Sequence, residues 1–305
     1  MLNEVITIVD TLDNPKINGQ KVSKLFEDFD VKITVKTVET TKGKTDIVKI
    51  CIPGKNSKAP KLGIIGQLGG VGARPEFLGL VSDADGAVVA LASALKLAKM
   101  KEKGDSLNGD VIVSTHICPN APTEPHDPVP FMGSPIGIKE ALLEMVDENM
   151  DAILSVDTTR GNRIINVKGF AISPTVKEGY ILKVSDDLLD IQERVTGKLP
   201  VVLPITMQDI TPYGNNIHHI NSIMQPATAT EKPVVGVAIT TESAVPGCAT
   251  GASHPLDLEL AVRFCIEVAK DFTLGRCKFY DENEFQRMIG LYGSMKKLVG
   301  LEEKV

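Results

Sequence analysis

Two aspartates stand one residue apart in Ser82-Asp83-Ala84-Asp85-Gly86, just ahead of an alanine-rich, apolar-faced stretch. One acid at a helix start can be a plain cap, stabilising by about 1 kcal/mol through the orphan N–H groups and the helix dipole. Two acids with a glycine between them and the helix can instead be aimed together at a cation. Several other residues have types that could join such chemistry. They are Gln67 in Gly66-Gln67-Leu68-Gly69-Gly70, His116 two residues before Cys118, Asp157, Glu242, and His254 in Gly251-Ala252-Ser253-His254-Pro255-Leu256-Asp257. Imidazole with carboxylate is a donor set suited to zinc or a similar divalent ion. His116 is a candidate general base or further ligand. Arg74 and Arg160 have the planar fork that grips a carboxylate through paired N–H donors.

Weaker signals surround these. His116 and Cys118 would share a side if their strand ran that far, giving a thiolate–imidazole pair, although a buried, inert thiol is the default. Gly66, Gly69, Gly70 and Gly72 resemble a phosphate cradle, but no helix begins directly after them and no Gly-Lys-Ser/Thr comes next. His218 and His219 read as exposed or core-filling. His126 and Asp127 fall in a proline-rich stretch, as lid or solvated residues.

The elements that must position these groups are legible in the apolar pattern. Short β-branched runs at 5–9, 31–35, 47–52, 62–65, 111–113, 152–156, 164–167, 201–205 and 234–239 read as strands. Several are apolar at consecutive positions, as in strands buried on both faces. Helical patterns lie between them at 87–103, 138–148, 186–195, 256–270 and 282–298. Residues 36–45 are polar and read as a hairpin or exposed turn. The proline-rich stretch 119–137 reads as a long loop, functional or disordered. Strand–helix alternation implies an α/β fold in three layers, a mostly parallel central sheet with helices on both faces. Ligands of such sheets sit beyond the carboxyl ends of the strands. The residues just past the ends of the buried runs include Gln67, His116, Asp157 and Glu242, which this rule brings to one edge. No linker or repeat divides the chain, and residues 1–305 read as one α/β domain.

Composition narrows the function classes. The 305 residues are 43% hydrophobic and 24% charged, an ordinary globular balance. A net charge of -6 argues against general affinity for nucleic acid or anionic membranes. No apolar run approaches the ~20 residues of a membrane helix, and the first residues carry no signal-peptide pattern, so the chain reads as cytoplasmic. Five cysteines without Cys-x-x-Cys spacing argue against a disulfide framework or zinc knuckle. The lack of Trp leaves little from which to build a stacking platform for bases or sugars.

The order of these motifs resembles the co-catalytic zinc exopeptidases, the aminopeptidases and aminoacylase/carboxypeptidase-type enzymes. Pro15-Lys16-Ile17-Asn18-Gly19-Gln20 is similar to their Pro-x-x-Ser-Gly-Glu start. Residues 62–70 stand where Gly-His-x-Asp ends an early strand. Ser82-Asp83-Ala84-Asp85-Gly86 is similar to the Asp-Gly that opens a helix and bridges two metals, and implies that role for Asp83. Residues 110–118 take the place of a strand that ends in a Glu pair. Asp157 matches a later acidic ligand, and 232–254 resembles the strand and loop that lead to a last His, here His254. The departures are specific. Gln67 replaces the first His, Gly69 the following Asp, and the Glu pair with its general base is absent, with His116 and Cys118 nearby. The chain also resembles, more closely, a family of bacterial and archaeal proteins of about this length grouped only as a domain of unknown function.

Together these readings imply a metal-dependent hydrolase of a small amide or peptide-like metabolite. Asp83, Asp157 and His254 would hold a divalent metal, zinc first, with His116 catalytic and Gln67, Asp85, Arg74, Arg160 and Glu242 facing substrate. The expected partners are that substrate and further copies of the chain. The alternative is a protein that keeps the fold, has lost catalysis, and binds or senses a small molecule.

Overall fold

In the computed structural model the described residues are 1–67, 80–125, 131–159, 164–242 and 253–301. The chain starts with α1 (Leu2–Leu12) and α2 (Gly19–Lys24), then the hairpin β1 (Lys32–Thr40) and β2 (Gly43–Ile52). Next come β3 (Leu62–Gly66), α3 (Asp85–Glu102) and β4 (Val111–Ile117). A small ribbon of β5 (Thr123–Glu124) and β6 (Phe131–Met132) leads to α4 (Ile138–Met145) and β7 (Ala152–Thr158). The short strands β8 (Gly169–Ile172), β9 (Val176–Lys177) and β10 (Tyr180–Ile181) come after it, then α5 (Asp186–Thr196). The last elements are β11 (Val234–Thr240), α6 (Pro255–Thr273) and α7 (Glu282–Tyr292).

The main sheet runs in the order β1-β2-β4-β3-β7-β11-β9-β10, with β8 paired to β11. Its centre is parallel: β3 pairs in parallel with β4 and β7, and β11 with β7. β1 and β2 extend it antiparallel on one side, β8, β9 and β10 on the other. Every residue of β3, β4 and β11 is buried, as continuous apolar runs require in a sheet covered on both faces. One face packs Leu62, Ile64, Val113, Leu154 and Val237 against α1, α3, α5 and α6. The other packs Ile65, Ile112, Ile153 and Ala238 against α4 and against short 3-10 turns at Met207–Ile210 and Gln225–Thr228. The expected α/β architecture, parallel at its core with helices around the sheet, is therefore present. Among the described residues no helix is long and apolar enough to cross a membrane.

Four expected elements differ. Residues 5–9 lie in α1, because Val5, Ile8 and Leu12 recur at helical spacing and bury one face. Residues 201–205 form only an isolated bridge, Val202 to Ile172, since Pro200 and Pro204 withhold ladder donors on either side. Residues 164–167 form no strand and are held instead by Thr240, whose hydroxyl donates to the Ile165 carbonyl. The helical stretch expected to Leu298 ends at Tyr292, where Gly293 takes a φ of 77°.

The topology fixes where a site can be. From β3 the chain passes through α3 to β4 on one side, then returns past β3 to β7 on the other. The switch point lies between the carboxyl ends of β3 and β7. There the start of α3 lies almost on the strand backbones. A Cβ on Gly86 would meet the Val156 carbonyl oxygen at 2.5 Å and the Gln67 carbonyl oxygen at 2.6 Å; one on Gly66 would meet the Gly86 oxygen at 2.5 Å. No side chain fits either place. Gly86→Ala is expected to cost about 1–3 kcal/mol by overpacking, seen as a lower melting temperature. Gly290, in the last turn of α7 with open space around it, is the control. Gly290→Ala should stabilise by about 0.5–1 kcal/mol. Equal melting temperatures for Gly86→Ala and wild type would remove the steric argument.

Candidate functional site

At the switch point four expected residues come together. Gln67 comes directly after the last residue of β3, and its N–H donates to the Val156 carbonyl of β7 at 2.8 Å. Asp157 is the next residue of β7 and is buried. Asp83 sits in a 3-10 turn, Ser82–Ala84, that runs directly into α3, and Asp85 is the first residue of that helix. Both are buried. The turn and the glycine contact hold these two acids over the strand ends, while the positive end of α3 favours their negative form.

Burial works in the opposite direction and wins. Burial pushes the Asp83 carboxyl well above its usual range, with repulsion from Asp157 and then Asp85 adding to the rise. Burial pushes Asp157 up to about 7, against the hydrogen bonds that favour its charged form, and Asp85 adds repulsion. Those bonds come from the Ser222 hydroxyl at 2.5 Å and the Thr158 N–H at 2.7 Å. Among the described residues no Lys or Arg forms an ion pair with Asp83 or Asp157. The Gln67 side-chain nitrogen is buried with no hydrogen-bond partner among the described residues. The crevice is therefore a concentrated set of acidic oxygens with one free amide donor.

A second group lies beside it. His254 caps the start of α6, with its Nδ1 3.4 Å from the Thr241 hydroxyl and 3.6 Å from an Asp257 carboxylate oxygen. Its side chain is 43% exposed. Together with Glu242, Lys168 and Ser253 it lines a cleft of about 590 Å³. Ser253 links the two groups by donating to Asp85 at 2.6 Å. Among the described residues, no three His, Cys, Asp or Glu side chains are already arranged to enclose a metal ion. A larger cleft, about 1020 Å³, opens at the other end of the sheet beside Pro60, Asp151 and Pro233, which precede β3, β7 and β11. It is remote from these groups and has lysines and acids mixed along its walls.

His116 lies near the end of β4, the strand beside β3. It is buried within β4, opposite Ile47 of β2, with Nδ1 3.0 Å from the Thr45 hydroxyl. Burial lowers its pKa to about 4, so the ring is neutral at ordinary pH. Cys118 approaches the Lys44 carbonyl at 3.6 Å, and burial pushes its thiol up to about 11, which disfavours the nucleophilic thiolate. Arg74, Arg160, His126, Asp127, Gly69, Gly70 and Gly72 lie outside the described residues.

Three residues near the crevice were not singled out by the sequence. Ser222 holds Asp157, and Ser253 holds Asp85. Burial pushes the Tyr213 phenol up to about 12, with repulsion from Asp157 and Asp209 adding to the rise. Only Ser253 carried a local signal, as the neighbour of His254 before an apolar-faced helix.

The raised Asp157 has a consequence for stability in protein without added divalent cation. The folded state keeps a proton between about pH 4 and 7 that the unfolded chain has released, so this group's contribution falls as pH rises through 7. His116 acts oppositely at lower pH, because its neutral form gains stability as pH rises from 4 to its unfolded value. The informative quantity is thus a difference. Asp157→Asn should gain in melting temperature relative to wild type as pH goes from 5 to 7.5. A constant gap between the two would show that Asp157 titrates normally.

Comparison with other proteins places this geometry. No curated protein matches the chain in sequence. Among solved structures, the bottromycin maturation enzyme BotP, in complex with Mn, superposes with a TM-score of 0.54 at 13% identity, over 89% of this chain and 70% of that one. Cytosol aminopeptidase from Coxiella burnetii gives a TM-score of 0.50 at 14% identity, over 84% and 67%. At that identity the likeness shows a shared fold. A family model described as "Protein of unknown function (DUF1177)" matches residues 36–302, and the chain belongs to that family.

Proposed function

We propose that the chain is a divalent-cation-dependent hydrolase of a small amide or peptide-like molecule, with its centre at the switch-point acids. The observation that carries this reading is the burial of Asp83, Asp85 and Asp157 within mutual repulsion. Like charges held together out of water are costly unless protonated or neutralised, and perturbed carboxylates in a cleft mark functional sites. A cation relieves all three at once. The donor set fits one: carboxylate oxygens suit manganese or magnesium, and zinc accepts them too. BotP, which shares the fold, was solved with Mn.

In this reading Asp83 and Asp157 hold the cation, and Asp85 is fixed behind them by Ser253. A bound divalent ion polarises a carbonyl and makes a nearby water easier to deprotonate. The residues of the chain do the rest. The Gln67 amide donates to the oxygen that gains charge as the amide carbon becomes tetrahedral. His254 and Glu242 line the cleft beside the acids, and His254 is proposed to complete the ligand set. Arg74 and Arg160 are proposed to grip a substrate carboxylate. His116, with a basicity of about 4, holds the β2–β4 seam and accepts protons only in acidic solution. The lack of a preformed three-ligand cluster among the described residues favours a second reading, a binding protein that has lost turnover.

Manganese or zinc titration of tag-free protein tests both. Calorimetry should show stoichiometric binding to wild type and at least about tenfold weaker binding to Asp83→Asn, in line with loss of a ligand. Release of amine from a dipeptide panel should appear with the metal and vanish in Asp83→Asn. Binding without turnover selects the second reading, and no metal binding at all discards the hydrolase.

A further inference from the structure

Next to Asp157 lies a loop, residues 211–221, whose ends are tied together by polar bonds. Asp209 accepts from the N–H of Thr206 at 2.8 Å and from the N–H of Asn221 at 3.1 Å. The Gln225 amide donates to the carbonyls of Asp209 and Thr211, each at 3.1 Å. One residue beyond the loop, Ser222 donates to Asp157. The loop is not held by apolar packing, since Ile217 and Ile220 are 45% and 53% exposed. Within it the ring of His219 stacks on Tyr213, with centroids 4.0 Å apart and a tilt of 30°. Tyr213 in turn is near enough to Asp157 and Asp209 to feel their charge.

His219 is the anomaly. Both of its ring nitrogens are shut off from solvent, and neither has a hydrogen-bond partner among the described residues. Buried polar atoms are nearly always paired, and an unpaired one costs about 1–3 kcal/mol. An imidazole used as filler would be better replaced by phenylalanine, which stacks equally well. Here the ring stands three residues before Ser222, which holds Asp157, on a loop whose closing bonds converge on Asp157 and Asp209.

We propose that His219 is a substrate-binding residue of the Asp157 crevice, and that its ring nitrogens are satisfied by an amide-bearing ligand. An imidazole in its neutral form has one donor and one acceptor, complementary to the carbonyl and N–H of an amide. Tyr213 fixes the ring plane, so that the ligand meets a preoriented partner. This assignment rests on the reading of the crevice as the substrate site.

The test uses full-length protein with 15N-labelled histidine, manganese as the first probe and the dipeptide Leu-Gly as the second. Substoichiometric Mn2+ should broaden the His219 ring resonances, identified by their loss in His219→Gln, before those of its exposed neighbour His218. His219→Phe should melt at or above the wild-type temperature in metal-free buffer, because it keeps the stack and removes two unpaired nitrogens. With Mn2+ present, Leu-Gly should raise the wild-type melting temperature and lose that effect in His219→Phe. A His219→Phe melting temperature lower by more than about 4 °C would show a structural partner and overturn the assignment. So would sharp His219 resonances in a wild type that binds Mn2+, or an equal Leu-Gly response in both proteins. A wild type that binds Mn2+ and ignores Leu-Gly overturns the amide class. Failure of the wild type to bind Mn2+ removes the underlying reading of the crevice, a result distinct from the others.

Discussion

The contact on which the rest of the molecule depends is the meeting of Gly86 with the backbones of Gln67 and Val156. Helices normally keep a side chain's width from a sheet. Here two facing glycines, Gly66 and Gly86, let the first turn of α3 settle directly on the ends of β3 and β7. That approach removes water from Asp83, Asp85 and Asp157 together. It also aims the helix dipole at them, but the dipole contributes about 1 kcal/mol or less, too little to offset the desolvation of several carboxylates. The strained electrostatics of the crevice thus arise from the packing of two residues that carry no side chain.

The sequence displayed the parts of this arrangement that depend on local pattern. The buried runs of β3, β4, β7 and β11 are apolar at consecutive positions, and α3 is apolar enough around its circumference to be a buried helix, so the α/β class was readable. The rule that ligands sit past strand ends then brought out Gln67 and Asp157, with His116 and Glu242, and the paired acids ahead of a helix brought out Asp83 and Asp85, without any knowledge of pairing. Residues 5–9 misled because Val and Ile suit strands, and only the burial of one helical face decides the matter. Strand order was not readable, and with it went the contact of the His116 ring with Thr45 across the β2–β4 seam.

The supporting hydroxyls were hidden for a different reason. Ser222 and Ser253 lie 65 and 168 residues from the carboxylates they hold. A serine has no signature when its partner is that far along the chain. The same holds for His219, whose significance lies in what it lacks and not in its type. Loops without periodicity reveal their role only when their hydrogen bonds can be traced one by one.

The edges of the main sheet carry a consequence of another kind. β1 presents Lys32, Thr34, Lys36 and Glu39 outward, with Lys36 ion-paired to Glu144 on α4. At the opposite side the sheet tapers into β9 and β10, strands of two residues each. Charged side chains on one border and truncation on the other both deny a foreign strand a template. Association of copies edge to edge is thereby disfavoured at both of these borders, and with it a continuous sheet running from one molecule into the next, the common route to fibrils.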